Sequence, residues 1–164
     1  MDLTEFNSLD REAALAAVRP ALDVQRWIEE LVSGRPYGST EAVLDAARSA
    51  ANPFTDAEVA QALSHHPMIG QRAQGDSAEA SLSRNEQAGL GGGDDAVKAE
   101  LAQANLDYQD TFGHVFLIRA AGRSLPEILS EARRRMTHSP EDERREVADQ
   151  LRQIAVLRIE GMLS

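Results

Sequence analysis

The chain has 164 residues and no cysteine, which excludes a disulfide framework, a thiolate nucleophile and a cysteine-based metal site. A formal charge of −10 argues against nucleic acid or an anionic membrane as the main partner. The length suits one domain, residues 1–164, with a core large enough to need neither metal nor covalent staple.

The first ten residues, MDLTEFNSLD, are acidic and polar, unlike a secretion signal. Ser8 is placed to cap a helix with Leu15 and Val18 on its apolar side, ending before Pro20. ALDVQRWIEELVSG (21–34) follows, with Val24, Trp27, Ile28 and Leu31 at helical spacing and Gly34 as the stop. STEAVLDAARSA (39–50) sets Val43 and Leu44 on one side. Thr55-x-x-Glu58 reads as a capping box for a helix reaching about Ser64.

A polar loop is expected over 68–80 and a glycine-rich hinge over 89–95, with a second capping box, Ser83-x-x-Glu86, between them. DDAVKAELAQANLDYQDTF (94–112) is a further helix. VFLIRAAG (115–122) is the strongly apolar run; with no partner strand in sight, it is expected to be helical. Ser124-x-x-Glu127 opens another helix, and Ser139–Pro140 opens a last one of more than five turns. Strong helix formers dominate, β-branched and aromatic residues are sparse, and no hairpin or repeat is visible. The expected fold is an all-α, single-domain multi-helix bundle. No apolar run approaches the ~18–20 residues that span a bilayer, and the tail RIEGMLS carries no peroxisomal tripeptide, so a cytoplasmic location is expected.

Three residues exceed what a plain bundle needs. In SHHPMIG (64–70), Val59, Ala62 and Leu63 form an inward face, and its next member is His66, whereas His65 is turned about 100° toward water. Pro67 disfavours helical geometry at His66, which places this imidazole at a helix C-terminus. There it can plug the helix end against a carbonyl, or it can move protons near neutral pH. On the last helix Val147, Leu151 and Ile154 recur at spacings of four and three, and the next member is Arg158. A guanidinium on a core stripe needs an anion. That anion is either one of the chain's 27 acidic side chains or a substrate carboxylate or carbonyl. Glu86 is accounted for by its capping box, yet a carboxylate ionised at a helix N-terminus could also orient a histidine.

Metal and phosphate sites find no support. The four histidines (65, 66, 114 and 138) lack a metal-binding spacing, so no metal is expected. GLGGGDD (89–95) lacks a P-loop lysine, follows no strand and precedes two aspartates that repel phosphate.

Taken in order, FNSL (6–9), WIEELVSGRPYGS (27–39), HHPMIG (65–70), SRNEQAGL (83–90), ANLDYQDTFGHVFLI (104–118) and QIAVLRIEGML (153–163) resemble the 2-oxo-4-hydroxy-4-carboxy-5-ureidoimidazoline (OHCU) decarboxylases of purine degradation. The resemblance covers nearly the whole chain. One departure is Phe112-Gly113-His114-Val115-Phe116, where many members read Phe-Gly-Phe-Pro-Phe, and it touches the expected pocket wall near 115–118. The resemblance implies a cofactor-independent decarboxylation to (S)-allantoin and CO₂ in a homodimer acting on a small ureidoimidazoline. It puts the catalytic pair on His66 and Glu86. Substrate contacts fall on Pro67, Ser83, Gln87, the backbone of Leu117 and Ile118, and Arg158, converging on one small cavity. The rival readings are a helical interaction domain without enzymatic activity and a lyase acting on a related ureide.

Overall fold

The computed structural model describes residues 1–69, 77–88, 90 and 95–164. Among them, helices alternate with short connections and no strand occurs. The chain divides into two compact units, 1–62 with 151–164, and 63–150. No helix among the described residues is long and apolar enough to cross a membrane.

The first unit begins with α1 (Leu3–Ser8) and α2 (Arg11–Val18), where a single helix capped by Ser8 was expected. Asp2 closes a capping box with Glu5, and Asp10 accepts from the Ala13 N–H, so two aspartates supply the starts. Ser8 instead ends α1, its hydroxyl donating to the Thr4 carbonyl. α3 (Gln25–Ser33) starts four residues later than its apolar spacing suggests, because Val24 is extended. Trp27, Ile28 and Leu31 are fully buried as the spacing predicts. α4 (Thr40–Ser49) is capped by Ser39 and buries Val43 and Leu44. In α5 (Asp56–Leu63) the capping box forms in both directions: Glu58 N–H donates to Thr55 Oγ1 and Thr55 N–H to Glu58 Oε1. Hydrogen bonding to Arg26 holds the Glu58 carboxyl down at about 2.

Side chains of this unit tie its helix ends together. Trp27 Nε1 donates to the Ala47 carbonyl at 3.0 Å. Arg152 donates to the Ala50 carbonyl at 2.7 Å while its guanidinium lies 4.1 Å from the Phe54 ring centroid, so a cation sits at the carbonyl end of α4. Arg35 donates to the carbonyls of Phe6 and Leu9. Asn7 and the Tyr37 backbone exchange two hydrogen bonds of 2.9 Å, which docks FNSL against RPYG.

Gly34 shows how closely that corner is packed. A Cβ there would meet the Tyr37 hydroxyl and stand 2.9 Å from its Cζ, and the hydroxyl is committed to the Leu31 carbonyl at 2.6 Å. Gly34→Ala is expected to lower stability by about 1–3 kcal/mol, the range for overpacking a filled site. A lower urea midpoint with an unchanged slope is the expected reading. An unchanged midpoint would mean that the tyrosine yields freely.

The second unit contains α6 (Ala78–Ala88), α7 (Asp95–Phe112), α8 (Leu125–Arg135) and the start of α9 (Pro140–Met162). Ile69, Leu101, Tyr108, Phe116, Ile118, Leu125 and Ile128 share its core. Ser124 caps α8, with Pro126 in its first turn, and Ser139 Oγ accepts from Asp142 N–H at the head of α9. Two expectations fail here. Ser83 and Glu86 do not cap a helix: α6 begins at Ala78, and Ser77 Oγ accepts from Ala80 N–H. The run 115–122 is irregular rather than helical. Its backbone is held by side chains, with Arg119 N–H donating to Gln150, Leu117 O accepting from Arg135, and Arg119 O accepting from Arg123. The expected loop and hinge fall largely on 70–76, 89 and 91–94, outside the described residues.

Candidate active site

Helix α5 stops at Leu63, and the chain turns through Ser64 and His65 into irregular backbone from His66 onward. His66 N–H donates to the Leu63 carbonyl at 3.0 Å, a tighter bond than a helix makes. Pro67 is a physical reason for the stop, since the residue before proline avoids helical geometry. His66 is half-buried and His65 exposed, the order expected from the helical face even though the helix itself ends earlier. Past Pro67, Ile69 enters the core and its carbonyl accepts from Asn105 Nδ2 at 2.7 Å.

α6 meets this segment at its first turn. His65 Nδ1 lies 3.1 Å from Glu79 Oε2 in the first turn of α6. Their sequence separation leaves no periodic trace, and the sequence reading missed this contact. Glu79, Ser83, Glu86 and Gln87 recur at helical spacing on one face, on which Ser83 is buried and Glu86 and Gln87 are half-buried. The face that meets the histidine segment at Glu79 therefore carries Ser83 one turn on and Glu86 roughly 10 Å along the axis. Glu86 lies in the second half of α6, away from the helix N-terminus where the capping argument put it.

A cavity of about 770 Å³ opens beside both pieces. Met68 and Ile69, which follow the His-Pro pair, line it together with Gln87, which follows Glu86. Leu101 and Asn105 of α7 complete the inner wall. Leu117 and Ile118 are buried in the same unit, and the Leu117 carbonyl already accepts from Arg135 at 2.6 Å. Arg158 belongs to the first unit, where it is buried and donates from Nη1 to the Pro20 carbonyl at 2.9 Å. The second unit thus holds His66, Pro67, Ser83, Glu86, Gln87, Leu117 and Ile118, and the first holds Arg158. Gly70, the last residue of the histidine motif, lies outside the described residues.

Beneath Leu117 lies a charged centre that sequence reasoning also missed. Arg135 and Glu143 are buried, with Arg135 Nε donating to Glu143 Oε1 at 2.7 Å. Tyr108 donates to the same oxygen at 2.7 Å, and burial followed by the Glu143 carboxylate pushes its phenol well above the ordinary range. The hydroxyl therefore stays a donor. His138 Nδ1 lies 3.1 Å from Glu143 Oε2, and the Arg135 guanidinium sits 4.6 Å from the Phe116 ring centroid.

Comparison with known proteins gives a consistent result. The model of a family described as OHCU decarboxylase matches residues 7–160. The chain is 25% identical over 160 residues to a 2-oxo-4-hydroxy-4-carboxy-5-ureidoimidazoline decarboxylase of Haloferax volcanii, covering 97% of this chain and 94% of that one. It is 23% identical over 163 residues to a protein of the same name from Halalkalicoccus jeotgali, covering 99% and 92%. Its fold is similar to a crystal structure of an OHCU decarboxylase in the presence of (S)-allantoin, with a TM-score of 0.71, 22% identity and coverage of 94% and 99%. It is also similar to a crystal structure of an (S)-allantoin synthase, with a TM-score of 0.73, 16% identity and coverage of 99% and 54%.

Proposed function

The chain belongs to the OHCU decarboxylase family, and on that premise we propose that it decarboxylates 2-oxo-4-hydroxy-4-carboxy-5-ureidoimidazoline to (S)-allantoin and CO₂ as one helical domain, working as a homodimer in the cytoplasm. The observation that carries this reading is the shared cavity: the residues directly after His66-Pro67 and directly after Glu86 line the same space.

The substrate has a carboxylate and a hydroxyl on one ring carbon, beside an imine carbon bearing the ureido group. When the bond to CO₂ breaks, its electron pair forms a carbon–carbon double bond and the imine π pair moves to nitrogen, which takes up a proton. The resulting enol then loses its hydroxyl proton while the former imine carbon gains one, giving allantoin. The substrate's own C=N is the electron sink, so the protein has only to orient the scissile bond and manage protons.

His66 is the group suited to that proton traffic, as general acid/base at the ring hydroxyl. Glu86 orients the imidazole and stabilises its charged form, following the logic of a triad carboxylate. Ser83 and Gln87 supply neutral hydrogen bonds, Pro67 a wall, and the backbone at Leu117 and Ile118 contacts to ureido or ring amides. Arg158 keeps the role that the resemblance gives it, a guanidinium for the substrate's carboxylate or a ring carbonyl. Delivery of the carbon-bound proton to one face sets the product's hand.

The test is direct. With freshly generated substrate, the protein is expected to accelerate CO₂ release and to yield optically active allantoin, followed by circular dichroism. CO₂ release at the spontaneous rate with a racemic product would overturn the assignment.

A further inference from the structure

We propose that Asn105 is a positioning residue for His66, acting through the carbonyl of Ile69; this rests on the catalytic role given to His66 above. Asn105 is 1% exposed and occupies the inward stripe of α7 between Leu101 and Tyr108, where an apolar side chain would pack at less expense. Its Nδ2 donates to Ile69 O at 2.7 Å, across 36 residues of sequence. Its Oδ1 is buried and has no hydrogen-bond partner among the described residues. An unsatisfied buried acceptor is unfavourable, so core packing does not account for an amide at this place. The account lies in the donor. Ile69 is itself 6% exposed, and its carbonyl needs a partner in a segment that has left the helix.

The stretch between is held at both ends. At one end His66 N–H is bonded to the Leu63 carbonyl, and at the other Asn105 grips Ile69. Pro67 has no N–H with which to make a tether of its own and fixes its own φ. Releasing the Ile69 end would remove one of the two backbone bonds that flank His66 and Pro67, and a shift of the imidazole by a fraction of an ångström matters to proton transfer.

Asn105→Leu removes the donor at similar volume, and Asn105→Gln retains an amide donor. The longer side chain has room, because Asn105 and Ile69 both line the 770 Å³ cavity. Asn105→Leu is expected to lower kcat by roughly 10- to 100-fold with little change in KM, to distort the pH profile of kcat, and to move the His66 imidazole signal in a ¹H–¹³C spectrum. The His66 signal is assigned by its loss in His66→Ala. Asn105→Gln should restore both readouts in part. If Asn105→Leu does not fold, Asn105→Ser, whose hydroxyl is too short for the same reach, takes its place with the same expectations. A variant with a lower melting temperature but wild-type kcat, pH profile and His66 signal would overturn the proposal and leave Asn105 a packing residue. The imidazole signal needs no turnover, so it decides the role of Asn105 even if the wild-type chain fails to produce allantoin.

Discussion

His66→Ala is expected to lower the rate of enzymatic decarboxylation by about 10²–10⁴-fold, the span a positioned acid/base group contributes. The side chain is half-buried at the end of α5 and is outside the fully buried core, so its truncation should leave the thermal melt nearly in place. The residual reaction has a signature of its own. Spontaneous decarboxylation occurs without a chiral surround, so the carbon is protonated from either side and optical activity falls with the rate. His65→Ala is the matched control. That ring is exposed, and its contact with Glu79 is an ion pair only when the histidine is protonated, so its loss should be close to neutral. Stereoselective turnover surviving in His66→Ala would remove this imidazole from the chemistry, and a collapse in His65→Ala alone would show that the wrong neighbour had been chosen.

Caps were readable in the sequence where a small polar residue stands directly before an apolar periodic run, as at Thr55, Ser124 and Ser139. They were misread where a second candidate stood nearby. Asp10 starts α2 two residues beyond Ser8, and Ser77 starts α6 six residues before Ser83. Serine and glutamate three apart are also tolerated inside a helix, so the pattern alone does not mark a start. The run 115–122 carries no period to read, and what holds its backbone is the set of side chains Arg123, Arg135 and Gln150. The same physics limits the site. Helical phase preferred His66 over His65 and singled out Arg158, while motif order pointed to Glu86 and Gln87. Glu79 and Asn105 each act through one contact with a segment distant in sequence, and Arg135 and Glu143 meet across the turn between two helices; such contacts leave no periodic mark.

Glu143→Leu is expected to destabilise the protein by about 3–5 kcal/mol, the range for stranding a buried charge by removing its partner. Arg135 ends α8 and Glu143 lies in the first turn of α9, so the pair closes the turn between two helices with 0% and 1% of the side chains exposed. Losing the carboxylate leaves a guanidinium that cannot shed its proton, facing the Phe116 and Tyr108 rings, and it also orphans the Tyr108 hydroxyl. The double variant Arg135→Met/Glu143→Leu separates charge from hydrogen bonding. It removes the stranded cation but leaves the Leu117 carbonyl without Arg135 and the Tyr108 hydroxyl without Glu143. Its loss should therefore be smaller than that of Glu143→Leu alone, yet not zero, and a double-mutant cycle in urea would give a coupling well outside additivity. Additive losses would mean that the two side chains act independently and that the buried ion pair is not what closes the turn. Because Arg135 also holds the Leu117 carbonyl, and the backbone at Leu117 is proposed to contact substrate, the double variant is expected to lose activity even where it regains part of the stability.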